Sequence, residues 1–593
     1  MLDIIEILWY NAQSTWRVRM WDIRRKGNII VTKTSVSKSD ALAIDKAVRV
    51  RTYLLEIGFI YDETRRGLVT FYSESVIPRI LESEFNNEFI IHSSLVSLAG
   101  KKWSDIEPLE LPTKREQFAH QKVGNRLLLE NHKFMLAWEM GTGKSNVVIV
   151  TADDCFRNGL ADKCLIVTDS SLVNTWVKKL IPPDSDHLST SLIGTSAERK
   201  MNLNISSRDG RTKYFVINYD GLRVLQKELM EFINEKTIIV LDESQRLKSH
   251  TTARCRSMKK IVSNCNPKYI WALTGTPITQ RPEDIFGQAL VLKPDAYGSS
   301  WTSFQSLYVI HSSYNQHVVT GYKNMPKFVD IFRSFSHRLT KEEVCSELPE
   351  RTYLEVEFDL APELRSIYND FVKNKVLRKT PTSDILLAVD HPLTLLGKSR
   401  QIVSDWYYET VKDEEEDTSV TYARRLLKLK ANPKLEFIKQ ILDDTGEPII
   451  IWFAHRADRL IIEDFLATNN IKYSLVDGSI PVAERQEKVD LFEEGKVQVF
   501  LGQPFACSTG FTIVRASYIF YYNNVYSVER REQSEARSHR IGLKHPVTYY
   551  DLVYSKTVEE GILKGLKAKI ELKDLILNGK NDVGNILEGE IYL

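Results

Sequence analysis

Two blocks of uninterrupted apolar runs, each run followed by a helical segment, constrain the fold of this chain most strongly. The runs are Cys164-Leu-Ile-Val-Thr, Tyr214-Phe-Val-Ile-Asn, Thr237-Ile-Ile-Val-Leu and Tyr269-Ile-Trp-Ala-Leu, and then Pro448-Ile-Ile-Ile-Trp-Phe, Lys472-Tyr-Ser-Leu-Val, Val497-Gln-Val-Phe-Leu, Ser517-Tyr-Ile-Phe-Tyr-Tyr and Val547-Thr-Tyr-Tyr-Asp-Leu-Val. A strand that is buried on both faces reads as continuous apolar sequence rather than as an alternation. The pattern therefore predicts two successive α/β layers, each a parallel sheet with helices on both faces.

The length of the chain fits this duplication. A chain of 593 residues exceeds what one hydrophobic core organises, so we expect two to four domains. Hydrophobic residues make up 43% and charged residues 27%, which is typical of globular protein, and the net charge of +2 neither favours nor excludes a nucleic-acid partner.

Several compartment and membrane classes are disfavoured by the sequence. The six cysteines show no CxxC pair, which favours reduced, mostly buried thiols. The first ten residues carry two acids and no basic start, so they are not typical of a secretory signal. No apolar run reaches the roughly 18 residues of a membrane span. We expect a cytoplasmic protein, nuclear if the source is eukaryotic, without a membrane partner.

A glycine-rich segment, Ala137-Trp-Glu-Met-Gly-Thr-Gly-Lys-Ser145, follows a short apolar run and precedes a predicted helix. Its glycines allow a tight turn that aims backbone N–H groups at phosphate oxygens. In such a loop Lys144 would reach the β- and γ-phosphates, and the Ser145 hydroxyl would hold Mg²⁺. Trp138 occupies the place of the usual first glycine, so the prediction of a nucleotide site depends on further motifs elsewhere in the chain. The predicted nucleotide-binding residues here are Met140, Gly141, Thr142, Gly143, Lys144 and Ser145.

Two adjacent carboxylates, Asp242 and Glu243, end the apolar run that begins at Ile238. A carboxylate at the end of a neighbouring strand can reach Mg²⁺ held by a phosphate loop. Asp242 would orient the metal, and Glu243 would act as general base toward the attacking water. A lone Asp-Glu pair is more often a helix N-cap. Here the Asp242-Glu243 pair follows the phosphate loop at a separation of about one domain, which favours a nucleotide hydrolase.

Two further segments fit a nucleotide-driven motor. Leu273-Thr-Gly-Thr-Pro277, at a strand end, would couple hydrolysis to movement. In Gln533-Ser-Glu-Ala-Arg-Ser-His-Arg-Ile-Gly542, Arg537 and Arg540 are three apart and would share one face of a helix. Guanidinium groups suit the charge that develops on a transferred phosphoryl group. They can reach the phosphate loop only if the two layers face each other across a cleft, which is the arrangement of a motor.

From about residue 115 to 560 these segments resemble, in order, those of Swi/Snf-type ATPases of helicase superfamily two. Phe118-Ala-His-Gln121 resembles the adenine-reading element, with Gln121 as base contact. The family usually has an acid where Trp138 stands. Asp242-Glu-Ser-Gln245 is close to the family's Asp-Glu-x-His box, and Gln245 still permits hydrogen bonding between the lobes.

Other segments extend the resemblance. They are Cys164 to Trp176, Phe215 to Tyr219, Leu273 to Ile278, His337-Arg-Leu-Thr-Lys-Glu-Glu-Val with Glu347-Leu-Pro, Ser508-Thr-Gly-Phe-Thr-Ile513 and the segment with Gln533, Arg537 and Arg540. Gly510 is the implied nucleotide contact of the glycine-rich element, which lacks its usual second glycine. Leu543 replaces the family's usual glutamine.

The resemblance implies an α/β fold of two tandem RecA-like lobes, parallel sheets with helices on both faces, and a small α+β N-terminal domain. The expected boundaries are 1–108 for the accessory domain, 109–345 for the ATP-binding lobe, 346–430 for a helical linker, 431–575 for the second lobe and 576–593 for a tail. ATP and Mg²⁺ are the implied cofactors, with Ser145 and Asp242 on the metal. The implied catalytic residues are Lys144, Asp242, Glu243, Gln245, Gln533, Arg537 and Arg540.

The family typically tracks along double-stranded DNA. The resemblance thus implies an ATP-dependent DNA translocase that remodels protein–DNA complexes or branched DNA, acting as a monomer. Hydroxyl and amide groups near strand ends suit the DNA backbone and carry no base identity, so we expect sequence-independent, salt-sensitive binding. The predicted nucleic-acid contacts are Ser170, Asn218, Thr274 and Thr276.

Alternatives remain at this stage. The motor could separate strands, as a DNA or RNA helicase, or the chain could be a nucleotide-gated scaffold that binds nucleic acid and hydrolyses little. A structural protein with incidental α/β lobes would require every motif to be coincidence. The arginines of residues 1–108 could meet phosphates or form a solvated face, and this domain could bind a protein partner.

Overall fold

The computed structural model describes residues 21–26, 29–33, 60–62, 67–71, 89–91, 103–294, 296–298, 300–314, 318–345, 348–378, 385–389, 391–413, 418–429, 431–481, 484–508, 511–540, 543 and 545–578. The chain forms two compact units. The first unit comprises Met1–Ile278, Pro282–Leu339 and Asp574–Leu593, and the second unit comprises Thr279–Arg281 and Thr340–Lys573.

A five-stranded sheet occupies the N-terminal part of the first unit. Its strands are β1 (Trp21–Lys26), β2 (Ile29–Lys33), β3 (Ile60–Asp62), β4 (Gly67–Phe71) and β5 (Phe89–Ile91), in the order β3-β4-β2-β1-β5. β1 pairs antiparallel with β2 and parallel with β5. The β-rich sequence Asn28-Ile-Ile-Val-Thr-Lys-Thr-Ser-Val and the sequence Gly67-Leu-Val-Thr-Phe-Tyr each predict a strand, and β2 and β4 confirm both. The sequence from Ser39 to Phe59 predicts an amphipathic helix, which lies outside the described residues.

The central sheet of the first unit has seven parallel strands in the order β14-β6-β11-β10-β7-β9-β8. They are β6 (Lys133–Trp138), β7 (Lys163–Thr168), β8 (Leu188–Leu192), β9 (Thr212–Asn218), β10 (Thr237–Asp242), β11 (Tyr269–Leu273) and β14 (Ser336–Leu339). All five residues of β11 are buried. Successive strand residues point to opposite faces, so both faces of the sheet are covered.

Helices connect these strands. The α-helices of the first unit are Ala119–Asn131, Lys144–Arg157, Val173–Thr175, Ser196–Arg208, Gly221–Val224, Gln226–Phe232, Ala253–Cys265, Asp284–Leu292, Trp301–Tyr308 and Met325–Arg333. Short 3₁₀ turns cover Trp103–Asp105 and Ser244–Leu247, a π-helical turn covers Trp176–Leu180, and β12 (Val309–His311) and β13 (Val319–Tyr322) form a hairpin. Because consecutive parallel strands are linked by these crossovers, the loops that follow them collect at one edge of the sheet.

The second unit contains a six-stranded parallel sheet in the order β15-β24-β23-β20-β22-β21. Its strands are β15 (Arg351–Phe358), β20 (Ile449–Trp452), β21 (Tyr473–Val476), β22 (Val499–Gly502), β23 (Tyr518–Tyr521) and β24 (Val547–Tyr554). The helices are Lys341–Val344, Pro362–Asn374, Pro392–Val403, Pro433–Thr445, Arg456–Thr468, Arg485–Glu493, Val528–Ser538 and Val558–Asn578, with a 3₁₀ turn at Ala506–Ser508. The two predicted parallel sheets are thus confirmed, and each unit carries one RecA-like lobe.

The stretch 346–430, predicted as a helical linker, also contains strands. β15 lies at the edge of the second sheet, and hairpins form between β16 (Val376–Leu377) and β17 (Leu387–Ala388) and between β18 (Trp406–Asp413) and β19 (Thr418–Arg425). An edge strand keeps exposed and charged residues, so β15 gives no uninterrupted apolar run. None of the described helices is long and apolar enough to cross a membrane.

Candidate nucleotide site

The glycine-rich loop connects the end of β6 to the helix that begins at Lys144. Gly141 and Gly143 have φ angles of +89° and +84°, in the region that side chains disfavour. A Cβ on Gly143 would lie 2.0 Å from Nε2 of Gln121. Gly143 is therefore favoured by its backbone conformation, and any side chain there would also displace the end of Gln121.

Lys144 is held by the loop that precedes it. Its Nζ donates hydrogen bonds to the carbonyl oxygens of Trp138 at 2.8 Å and Glu139 at 3.0 Å. Burial lowers the pKa of Lys144 to about 8, while the charges of Glu243 and Asp242 act in the opposite direction. The ammonium group therefore lies within the electrostatic reach of both predicted catalytic carboxylates.

Asp242 is the last residue of β10, beside the end of β7. Its Oδ2 accepts hydrogen bonds from Oγ1 of Thr168 at 2.9 Å and Nε1 of Trp176 at 2.8 Å. Burial raises the pKa of Asp242, and these two hydrogen bonds and the charge of Lys144 oppose the rise. A buried, oriented carboxylate beside a phosphate-type loop is the donor set that a hard divalent cation prefers, so these residues fit Mg²⁺.

Glu243 is linked through Gln245 to the loop after β11. Nε2 of Gln245 donates to Oε2 of Glu243 at 2.8 Å, and Oγ1 of Thr274 donates to Oε1 of Gln245 at 2.8 Å. The backbone N–H of Thr276 in turn donates to Oγ1 of Thr274 at 3.0 Å. An amide both donates and accepts, which lets one glutamine bridge a carboxylate and a hydroxyl. These bonds of Gln245 lie within the first unit.

The same loop packs directly on the phosphate loop. A Cβ on Gly275 would lie 3.1 Å from Cγ and 3.3 Å from the backbone nitrogen of Met140. Thr274 and Thr276 flank this glycine. The segment predicted to couple hydrolysis to movement is thus in contact with the glycine-rich loop.

Gln121 and His120 fasten the helix Ala119–Asn131 to this loop. Oε1 of Gln121 accepts from the backbone N–H of Phe118 at 2.9 Å, and its Nε2 donates to the carbonyl oxygen of Thr142 at 3.5 Å. Nε2 of His120 donates to the same carbonyl oxygen at 2.9 Å. The predicted base contact therefore lies over the phosphate loop.

Trp138, the residue that departs from the usual motif, is fully buried. Its Nε1 donates to Nδ1 of His337 at 3.0 Å, and its ring meets the edge of His120 with centroids 5.8 Å apart. A Cβ on Gly124 would lie only 2.6 Å from Cη2 of Trp138. Burial lowers the pKa of His337 to about 4, so its neutral ring can accept this bond. Trp138, at the end of β6, therefore contacts both His337 of β14 and the helix Ala119–Asn131.

Arg338 is a site residue that sequence reasoning missed. Its Nη1 donates to the carbonyl oxygen of Ala137 at 3.1 Å, and its Nη2 lies 3.3 Å from Oε1 of Glu139. The guanidinium therefore braces the start of the loop. The only sequence signal was its place in the basic segment that begins at His337.

The predicted nucleic-acid contacts fall into two groups. Nδ2 of Asn218 donates to Oγ of Ser170 at 3.0 Å, and Nη1 of Arg199 donates to Oδ1 of Asn218 at 2.8 Å. Thr274 and Thr276 are each 1% exposed. Ser170 and Asn218 thus form a polar pair after adjacent strands, whereas a DNA contact through either threonine hydroxyl would require a local rearrangement.

The second unit carries the remaining predicted residues on and after the helix Val528–Ser538. Gln533 is buried and accepts a bond from Nη1 of Arg530 at 3.1 Å. Nη1 of Arg537 and Nη1 of Arg540 each lie 3.5 Å from the carbonyl oxygen of Phe511. Arg540 also donates to Oγ1 of Thr512 at 2.6 Å, and burial lowers its pKa. Gly510 lies outside the described residues.

The prediction that Arg537 and Arg540 share a helix face is wrong. The helix ends at Ser538, and His539 is extended, with φ −96° and ψ 92°. Two bonds hold His539 in that conformation: its Nε2 donates to the carbonyl oxygen of Pro349 at 2.9 Å, and Nζ of Lys341 donates to its carbonyl oxygen at 2.7 Å. The two guanidinium groups converge on one loop although they come from different local structures.

Comparisons with known proteins bear on both units. The family model described as SNF2-related domain matches residues 24–408, and the helicase conserved C-terminal domain matches residues 433–542. A solved structure, the Sulfolobus solfataricus SWI2/SNF2 ATPase core in complex with dsDNA, is 23% identical, with a TM-score of 0.37, over 80% of this chain and 95% of that chain.

Curated relatives match most of this chain. The human DNA annealing helicase and endonuclease ZRANB3 is 25% identical over 84% of this chain and 44% of its own length. A Bacillus subtilis protein, described as the uncharacterized ATP-dependent helicase YqhH, is 25% identical over 78% of this chain and 79% of its own length. This chain thus spans less than half of the human relative. Since the first family model alone covers more than half of the chain, the protein belongs to the SNF2-related family.

Proposed function

We propose that this protein is an ATP-dependent double-stranded DNA translocase, which remodels protein–DNA complexes or branched DNA. The observation that carries the proposal is the buried cluster at the carboxyl ends of the parallel strands. There the ammonium of Lys144 lies within electrostatic reach of Asp242 and Glu243, and the loop after β11 packs on the glycine-rich loop. A cluster of this kind binds and hydrolyses a nucleoside triphosphate and can pass the change to a neighbouring loop.

ATP and Mg²⁺ are part of the proposal. The backbone N–H groups of the loop from Met140 to Gly143 would bind the phosphates, with Gln121 against the base and Lys144 against the terminal phosphates. Ser145 and Asp242 would hold the cation. When bound, Mg²⁺ would neutralise charge on the phosphates. In this role Lys144 would exchange its bonds to two carbonyl oxygens for bonds to phosphate oxygens.

The protein groups would divide the chemistry. Glu243 would accept the proton of the attacking water, and Gln245 would orient its carboxylate through the 2.8 Å bond. Because Gln245 also bonds Thr274, a change at Glu243 reaches the loop that packs on Met140. Arg537, on the same helix as Gln533, and Arg540, beyond the end of that helix, would supply positive charge to the transferred phosphoryl group.

Duplex DNA is the proposed track. The human relative is named a DNA annealing helicase, which favours duplex and branched DNA over RNA for this chain. Ser170 and Asn218 offer hydroxyl and amide groups suited to the backbone, so binding would be independent of sequence and weakened by salt.

The organisation predicted from the sequence remains part of the proposal. It keeps the boundaries after residues 108, 345, 430 and 575, a monomer as the working form, and a cytoplasmic site of action, nuclear in a eukaryote. Residues 1–108 would choose the DNA structure or bind a protein partner. Their removal should alter substrate choice while ATP binding persists, and loss of ATP binding in the truncated chain would contradict the first boundary.

The decisive assay measures ATP hydrolysis with unforked duplex, forked DNA, single-stranded DNA and RNA, each over a range of salt. The proposal predicts the strongest stimulation by duplex or forked DNA. Stronger stimulation by single strands or RNA would favour a strand-separating helicase. A basal rate that no nucleic acid raises would favour a nucleotide-gated scaffold. The Lys144→Ala variant, purified in parallel, measures any contaminating activity.

A further inference from the structure

A second concave surface lies at the amino ends of the strands of the seven-stranded sheet, opposite the carboxyl ends that carry the glycine-rich loop. A cavity of about 750 Å³ is lined by the residues that lead into β6, β7, β10, β11 and β14. Lys133 begins β6 and Trp138 ends it, so the strand separates this cavity from the glycine-rich loop. At about 3.3 Å per residue the separation is roughly 17 Å. The cavity is therefore distinct from the candidate nucleotide site.

The cavity is strongly cationic. Its charged and titratable lining residues are His132, Lys133, Glu235, Lys236, Lys268 and Lys293. Among the described residues, four lysines thus line the cavity together with one carboxylate. Burial, and after it the charge of Lys268, lower the pKa of His132. Like charges gathered in one concavity repel, and an anionic ligand relieves that repulsion.

Neutral groups organise part of this lining. Nζ of Lys133 lies 3.5 Å from Oδ1 of Asn266, and Nζ of Lys293 donates to Oγ of Ser334 at 3.0 Å. The partner of Lys133 is a neutral amide, which leaves the positive charge of that lysine in place. His132 and Asn266, which turn the chain at the rim, have φ angles of +55° and +42°. Both residues cap the C-termini of helices, Ala119–Asn131 and Ala253–Cys265, so the rim of the cavity is formed by two helix ends.

The size of the cavity selects the class of ligand. Small-molecule sites usually measure about 300 to 1,000 Å³. A cavity in this range admits a compact anion, whereas duplex DNA is followed along an extended surface. Lysine ammonium groups are point-charge donors suited to phosphate. We propose that this cavity binds a small ligand bearing two or more phosphate groups, independently of the proposed motor activity.

The first test uses tripolyphosphate as the probe, with the full chain carrying Lys144→Ala so that the glycine-rich loop contributes little. The cavity variant adds Lys133→Gln, Lys236→Gln and Lys268→Gln. A matched control adds Lys227→Gln, Lys259→Gln and Lys260→Gln, which are exposed lysines of the same unit. Calorimetry should show binding to the parent, affinity at least tenfold weaker in the cavity variant, and a change below twofold in the control.

Equal affinity in the cavity and control variants, or no binding to the parent, would overturn the proposal. A second measurement covers the case in which the triple variant fails to fold. In the unmodified chain, tripolyphosphate should protect Lys133, Lys236 and Lys268 from acetylation, read by mass spectrometry, while the three control lysines stay reactive. Protection by duplex DNA but not by tripolyphosphate would assign the surface to DNA and would also overturn the proposal.

Discussion

The two units hold their predicted catalytic residues in different ways. In the first unit, Lys144 bonds to the end of β6, Asp242 accepts a bond from Thr168, and Gln245 joins Glu243 to Thr274 in the loop after β11, so the cluster is cross-linked. In the second unit, the 3.5 Å contacts of Arg537 and Arg540 converge on the carbonyl oxygen of Phe511. The comparison indicates a site cross-linked between several strands and loops in one unit and, in the other, two guanidinium groups held against the single segment Phe511–Thr512.

The largest effect should come from the cross-linked cluster. Lys144→Ala or Glu243→Gln should lower ATP turnover on the order of 10³-fold or more, because each removes a group aimed at the transferred phosphoryl or its attacking water. Thermal unfolding should change little. Lys227→Ala, on an exposed helix position, is the control. Turnover within a few-fold of the parent in either variant would remove that residue from the proposed chemistry.

The arginines should show a separable effect. Arg540→Ala should lower turnover by roughly 10²- to 10³-fold while ATP binding, measured with a fluorescent analogue, changes less than about threefold. Its bonds to Thr512 and Phe511 stabilise one loop, so Thr512→Ala serves as the control for lost local structure. If Thr512→Ala lowered turnover as much as Arg540→Ala, the arginine would be structural.

The bridge through Gln245 should matter mainly for coupling. Gln245→Leu and Thr274→Val each break the 2.8 Å bond between these residues, and each should reduce DNA-stimulated turnover by about tenfold. Gln245→Leu also removes the bond to Glu243, so the double variant should be little worse than Gln245→Leu alone, which already lacks both bonds. Fully multiplicative losses would show that the two residues act separately.

The smallest effect concerns the buried indole. Trp138→Phe keeps a ring but deletes the N–H that bonds His337, which leaves a buried ring nitrogen without its donor. A loss of about 1–2 kcal/mol in the free energy of unfolding is expected, with turnover reduced only a few-fold. Denaturant unfolding gives the first value. An unchanged stability would mean that the bond contributes nothing to the loop's support.

The sequence predicted the strands and the loop best. Continuous apolar runs such as Tyr269–Leu273 predict strands buried on both faces. Gly141 and Gly143 predict a loop with positive φ angles. The edge strand β15 was not predicted, because exposed residues interrupt its apolar sequence. Periodicity therefore finds central strands more readily than edges.

Contacts between distant segments were not predictable from spacing. Trp138 read as an irregular motif position because its partner His337 is about 200 residues away, and Arg338 gave no catalytic signal. The end of the helix at Ser538 depends on bonds from Lys341 and to Pro349, which also lie far along the chain. The local pattern placed Arg537 on a helix, as observed, and placed Arg540 on the same helix, although that helix ends at Ser538.

Displacement of a third strand from an intact duplex tests the central claim most directly. With ATP, the protein should displace a triplex-forming strand without separating the duplex beneath it, and Lys144→Ala should not. Sensitivity to salt should be steep. Displacement that requires a free single-stranded end, or ATP hydrolysis without displacement on any duplex, would contradict the account.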